Sequence, residues 1–348
     1  AALLGTTPPE NRETLLHRHA VSSYYLDKPQ LCIETGAQLL KDYPKSQHLD
    51  DAHFVVAESH FKLSQWEGAV RHHSQVSEGS QFHKLATYQL ARSYDQAGQK
   101  DKAAATYKKH FDLAPKEPSA GAALFRAAAL CQELKAFAQA VELYALYERA
   151  FATPVTQQLK DARYQRAVCL LALEKHDEMF QAFQSYLKDY PDAAPRTRSN
   201  ATYWIGWYYS QKEQSPSKAI ECFQQASASE GDFQTEALYR LAEAHYALAQ
   251  QAEKDKNEAL ARPHRLKAAE VYLELAKQNR ELVRHTSFYA YAAAVFRSEN
   301  RFPEAIRMYE LLLEAFPQDA GLDEVHFYLG ELHTKLQPPQ WQEALQRY

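Results

Sequence analysis

Small and aromatic residues recur along the chain in a fixed order that suits pairs of helices. In the clearest stretch, Ala86-Thr-Tyr-Gln-Leu-Ala-Arg-Ser-Tyr94 carries a small residue at Ala91. Ala103 follows about twelve residues later, Tyr107 comes four beyond that, and Pro115 closes the segment. The neighbour upstream runs from Ala52 to Ala57, then Trp66 and Ala69. Residues four apart lie one turn apart on the same face of an α-helix. The order therefore predicts antiparallel helix pairs that cross closely where side chains are small, with a ring sealing the joint to the next pair.

The pattern repeats. Small first-helix residues are expected at Ala128, Ala167, Gly206, Ala242, Ala293 and Gly330, with second-helix partners at Ala140, Met179, Ala219, Ala268, Ala305 and Ala344. Rings follow most partners by four residues, at Tyr107, Tyr144, Phe183, Phe223, Tyr272, Tyr309 and Tyr348. Pro44, Pro115, Pro191 and Pro317 fall just past second-helix patterns, where a residue without an N–H ends a helix. Ala57 to Ala91 and Ala69 to Ala103 are each 34 residues, a period that resembles the tetratricopeptide repeat (TPR) family.

That resemblance implies an all-α, right-handed superhelical solenoid of about 8–9 helix-turn-helix repeats. A linker is expected over 1–12 and one continuous array over 13–348. Its units fall near 13–46, 50–83, 84–117, 121–154, 160–193, 199–232, 235–281, 286–319 and 323–348. The seventh carries an insert at 250–263, read as two extended helices around a loop. The last stops in mid-helix at Tyr348, which is the expectation for a fragment of a longer subunit.

Composition removes several functions from view. Lys+Arg 40 against Asp+Glu 44 leaves a net charge of −4, which offers no electrostatic footprint for nucleic acid. The apolar stretches fall short of the roughly 18 residues of a membrane span. Cys32, Cys131, Cys169 and Cys222 form no CxxC pair and read as small core residues. Nucleotide, zinc-protease and serine-hydrolase motifs are missing from the sequence. His17 and His19 stand two apart and His72 and His73 adjoin, so neither pair shares a helix face and no metal site is expected. Asp50-Asp51 and Glu133 with Lys135 read as solvated helix surface. The expectation is a non-catalytic chain with no cofactor.

The TPR resemblance places the first helix of each pair along a partner-binding groove. The candidate groove residues are Phe54, Tyr88, Arg92, Phe125, Tyr164, Tyr203, Trp207, Tyr239 and Phe327, with Trp207 the first choice. A peptide segment or partner helix would lie along these rings. The positions one beyond each small residue hold no Asn, so the carboxylate clamp of heat-shock co-chaperones is not expected.

Three second helices end in an aromatic-Pro step, at Lys41-Asp-Tyr-Pro-Lys-Ser46, Lys188-Asp-Tyr-Pro-Asp192 and Glu314-Ala-Phe-Pro-Gln318. These steps resemble the bacterial-envelope type of TPR, as in the BamD outer-membrane-assembly lipoprotein and the Tol-Pal-associated periplasmic coordinator. The implied setting is the periplasm or the outer-membrane periphery. The alternative is a cytoplasmic adaptor or regulatory domain attached to another module.

Overall fold

The computed structural model describes residues 9–278, 285–319 and 321–347. Every regular element among them is an α-helix, eighteen in all, and the described residues contain no strand. The chain divides into two compact units, residues 1–179 and 180–348.

The N-terminal unit holds four hairpins, formed by α1 (Pro9–Tyr25) with α2 (Pro29–Asp42), α3 (Leu49–Lys62) with α4 (Trp66–His73), α5 (His83–Gln96) with α6 (Lys100–Leu113), and α7 (Ala120–Glu133) with α8 (Phe137–Ala150). α9 (Gln157–Ala172) follows, and the division falls inside α10 (His176–Asp189). The C-terminal unit continues with α11 (Pro195–Gln211) and α12 (Pro216–Ser227), α13 (Gln234–Lys254) and α14 (Glu258–Gln278), α15 (Thr286–Ser298) and α16 (Phe302–Ala315), and α17 (Leu322–Lys335) and α18 (Trp341–Arg347).

Small residues set the crossings as the spacing predicts. Ala91, Ala103, Ala128 and Ala140 are fully buried in one cluster with Tyr107 and Tyr144. In the other unit Ala219, Ala242, Ala268, Ala293 and Ala305 are fully buried with Phe223, Tyr272 and Tyr309. At Gly206 a Cβ would stand 2.9 Å from the Cys222 Cβ and 3.0 Å from the Phe223 ring, so α11 and α12 approach more closely there than any larger residue permits.

The backbone marks the repeat as clearly as the side chains do. Asp27, Ser64, Gly98, Lys135 and Glu174 in the first unit, and Gln214, Lys256 and Asn300 in the second, adopt positive φ at the turn after a first helix. Most of these turns share a pair of bonds. In the second turn Gln65 N–H donates to the His60 carbonyl and Ser64 N–H to that of Phe61; Ala136 to Cys131 and Lys135 to Gln132 repeat the pattern. This left-handed closure satisfies carbonyls that the helix end leaves orphaned.

The helix boundaries bear on the expected linker, the insert and the seventh and last units. α1 opens at Pro9, so residues 9–12 of the expected linker are helical. The insert at 250–263 adds turns to both α13 and α14, 21 residues each, and leaves only residues 255–257 as the connection. Tyr348 and residues 279–281 of the seventh expected unit lie outside the described residues.

Candidate partner-binding surfaces

In the N-terminal unit the first helices are tied to one another by polar side chains. The Gln89 amide on α5 donates to Glu58 on α3 at 3.1 Å, and Arg92 donates to Gln89 at 2.8 Å. The Arg126 guanidinium on α7 grips Asp95 on α5 with two bonds, 2.8 and 2.9 Å, and donates to Glu133 as well. Gln132 on α7 donates to Gln165 on α9 at 2.9 Å. These side chains recur at helical spacing on successive first helices and brace neighbouring hairpins.

The predicted groove rings of this unit are mostly engaged in packing. Phe54 is buried, stacked on Phe82 at 4.9 Å. Tyr88 is half-buried, edge-on to Tyr107 and tilted on His110, and Phe125 meets Tyr144 and Tyr147 edge-on. Tyr164 is half-buried on α9. Arg92 lies over the Phe61 ring at 4.7 Å, a contact that its charge favours. The hollows in this unit lie along the second helices α6 and α8. One of about 630 Å³ is bordered by Lys108 of α6, Val141, Ala145 and Arg149 of α8, and Arg166 of α9; another of about 420 Å³ lies between α6 and α8.

The C-terminal unit opens between its first helices. A groove of about 840 Å³ is lined by Ser210 and Gln211 of α11, by Arg240, Glu243, Tyr246, Gln250, Gln251 and Lys254 of α13, and by Phe288 of α15, with Tyr272 at its floor. A second hollow, about 350 Å³, lies between α15 and α17 and is lined by Ala290, Ala294 and Arg297 on one side and Tyr328 on the other. Trp207 is half-buried, one turn before Ser210 and Gln211 on α11, and Tyr239 is half-buried one turn before Glu243. Tyr203 is buried, stacked on Phe233 at 4.6 Å, and Phe327 is 55% exposed. Of these four predicted residues Phe327 is exposed, while Trp207 and Tyr239 each stand one turn from residues that line the groove.

The floor of the larger groove is phenolic. Tyr246 packs edge-on to Tyr291 at 4.7 Å, and the Gln250 amide donates to the Tyr246 hydroxyl at 2.6 Å. The buried hydroxyls of Tyr272 and Tyr291 have no hydrogen-bond partner among the described residues. Burial raises the pKa of both phenols and, with the Glu243 charge nearby, pushes that of Tyr239 up to about 12. Arg240 is balanced by Glu236 and Glu243, so charge on this wall nearly cancels.

No catalytic pair emerges from the carboxylates weighed in the sequence. Asp50 accepts from the Ser77 N–H and hydroxyl at 2.8 and 2.6 Å, and Glu133 is held by Lys100 and Arg126. Glu148, which sequence reading missed, is enclosed between Arg163 and Arg166; burial raises its pKa and the two guanidiniums oppose the rise. Cys32, Cys131 and Cys169 are buried and Cys222 half-buried, all four as free thiols, and burial pushes each thiol pKa up.

The histidines correct the sequence reading. His17 and His19 do not share a face, as expected, but the fold brings His17 to His48 and Asp51, with nitrogen and oxygen atoms all within 4.8 Å of one another. Elsewhere His53 meets His72, and His245 meets His264, each pair Nδ1 to Nδ1 at 3.0 and 2.8 Å. His17 lies 34 residues from Asp51 and the members of each imidazole pair lie 19 apart, so spacing along one helix could not reveal these contacts.

Tandem α-hairpins with small crossings, sealing rings and left-handed turns define an all-α helical-repeat protein. The tetratricopeptide repeat family model matches residues 85–111 and 161–193. No curated protein matches the sequence. Among solved structures, the C-terminal part of a TPR repeat-containing protein from Cytophaga hutchinsonii is similar at 14% identity and TM-score 0.49, over 77% of this chain and 97% of that one. YrrB, described as a TPR protein with an unusual peptide-binding site, is similar at 15% identity and TM-score 0.41, over 61% and 93%. MamA from strain MSR-1 is similar at 20% identity and TM-score 0.37, over 52% and 97%. Tetratricopeptide repeats act in general as protein-interaction scaffolds rather than as catalysts.

Proposed function

We propose that this chain is a protein-interaction scaffold whose partner segment lies in the C-terminal unit, across the first helices α11, α13 and α15. The observation that carries this reading is the groove of about 840 Å³ between them. Its wall offers Ser210, Gln211, Gln250 and Gln251, neutral groups that both donate and accept, beside the Tyr246 ring. Such a wall suits the backbone amides of an extended segment, and the Tyr246 and Phe288 rings that line it, with Trp207 one turn from Ser210 and Gln211, supply apolar area at little entropic cost. Preformed helices hold these groups in place, so binding orders little besides the partner.

The test is a peptide selected from a random 12-residue display library on the full chain. Its affinity is expected to fall about tenfold or more in Trp207→Ala/Tyr246→Ala, whereas Arg92→Ala in the other unit leaves it unchanged. A selected peptide that binds the double variant as tightly as the parent contradicts the placement.

The finer part of the proposal is a bacterial-envelope setting, supported by the aromatic-Pro steps at Tyr43-Pro44, Tyr190-Pro191 and Phe316-Pro317. The second reading, a cytoplasmic adaptor or regulatory domain, draws on the four free thiols, which are at home in a reducing compartment. Fractionation of cells expressing the native gene, with the chain followed by antibody, separates the two.

A further inference from the structure

We propose that His17, His48 and Asp51 form a divalent transition-metal site that staples α1 to α3. His17 stands midway along α1, His48 immediately precedes α3, and Asp51 sits in the first turn of α3. The His17 Nε2 lies 3.1 Å from the Asp51 Oδ2, and one nitrogen of each imidazole and one carboxylate oxygen fall within 4.8 Å of each other. All three side chains are half-buried, so the site is walled on one side and open to solvent on the other.

Three features favour an ion over a plain hydrogen-bonded joint. The donor set is two imidazole nitrogens and one carboxylate oxygen, the combination that Zn²⁺ and its neighbours take when a fourth position is left to water. The Asp51 carboxylate has no Lys or Arg within ion-pair distance among the described residues, although it is only part-exposed, so a cation there gains more than it would at an open surface. His48 occupies the N-cap position of α3 without capping it; its ring turns instead onto His17, with ring centroids 4.0 Å apart and planes within 8°.

Stacked rings point their nitrogens side by side, whereas a tetrahedral ion with bonds of about 2.0–2.1 Å needs them to converge, roughly 3.3 Å apart. The Nε2 to Oδ2 distance is already close to this value. The adjustment therefore falls on His48, whose ring must slide out of the stack to bring its nitrogen to that separation. His48 stands at the N-cap of α3, where its carbonyl accepts from the Ala52 N–H, so the ring turns about its own side-chain bonds while that backbone bond is kept. Once bound, the ion would cross-link the first helix of one hairpin to the first helix of the next.

The test is titration of the full, metal-free chain with ZnCl₂ by calorimetry, and with CoCl₂ by visible absorption. The parent is expected to bind one equivalent at micromolar concentration, to give the intense Co²⁺ band of a four-coordinate site, and to gain several degrees in Tm with Zn²⁺. His48→Ala and Asp51→Asn, both on the connection or first turn, should weaken binding at least tenfold and abolish the Tm gain. His264→Ala in the other unit should change neither and controls for the remaining histidines. Unchanged Zn²⁺ affinity in His48→Ala and Asp51→Asn, or the absence of a one-equivalent site in the parent, would overturn the proposal. A circular-dichroism spectrum without metal shows that the variants fold.

Discussion

The two units are built from the same hairpin yet open on opposite sides of it. In the N-terminal unit the first helices are laced together by Glu58–Gln89, Asp95–Arg126 and Gln132–Gln165, and the hollows lie along the second helices α6 and α8. In the C-terminal unit neighbouring first helices meet through rings, Tyr239 on Phe288, Tyr246 on Tyr291 and Arg297 over Tyr328, and the hollows lie between those helices. The crossing residues are shared, and the side chains one turn away differ. A polar bridge between adjacent helices fills the space that a ring contact leaves open beside it. The same fold thus yields a braced row of first helices in one unit and an open groove between first helices in the other.

The crossings are the common part, and overfilling them should cost most. Gly206→Val in one unit and Ala103→Leu in the other are each expected to lose about 2–3 kcal/mol, because neither site has room to give. Urea unfolding measures both; a mild effect at either site would break the claim that small residues set both crossings.

Acid should act next, on the C-terminal unit. His245 is buried against His264, and burial first, then the charges of His264 and Lys267, lower its pKa to about 4. An unfolded histidine titrates near 6.5. Between those values the unfolded chain binds more protons, so stability is full above about pH 6.5 and falls as pH drops toward 4. The loss from this residue should be about 1–2 kcal/mol after allowing for solvent screening, and smaller in His245→Leu. Equal pH dependence in variant and parent would remove the pair from the account.

The braces should come third. Arg126→Ala releases Asp95 and Glu133 from a partly exposed guanidinium and is expected to cost about 1 kcal/mol, less at high salt. Smallest is a gain: Lys135→Gly relieves a left-handed residue at the α7–α8 turn and should add about 0.5 kcal/mol, read as a higher urea midpoint. A loss at Lys135→Gly would mean that the turn is held by that side chain.

Much of the fold was legible because its signal is repeated. Ala91, Ala103 and Tyr107 would be chance alone; the same order at Ala128, Ala140 and Tyr144 and again at Ala242, Ala268 and Tyr272 makes it a rule. The turns were less legible. Reading for glycine finds Gly98, while Asp27, Lys135 and Glu174 take the same backbone conformation because the paired carbonyl bonds outweigh its cost. The proposed groove falls on first helices that the spacing singles out, but the residues that line it do not follow from the spacing. A ring three positions before a small residue can turn fully into the joint, as Phe54 and Tyr203 do, or stay half-buried, as Tyr239 does, and the choice depends on neighbours from other hairpins. His17 and Asp51, 34 residues apart, meet only once two hairpins have packed.

The account turns on which face receives a partner, and hydrogen exchange with a library-selected peptide bound to the full chain reads that directly. Protection is expected along α13, from Arg240 to Lys254, and at the C-terminal end of α11, with α6 and α8 unchanged. Protection centred on the second helices α6 and α8, with α13 exchanging as in the free chain, would contradict it.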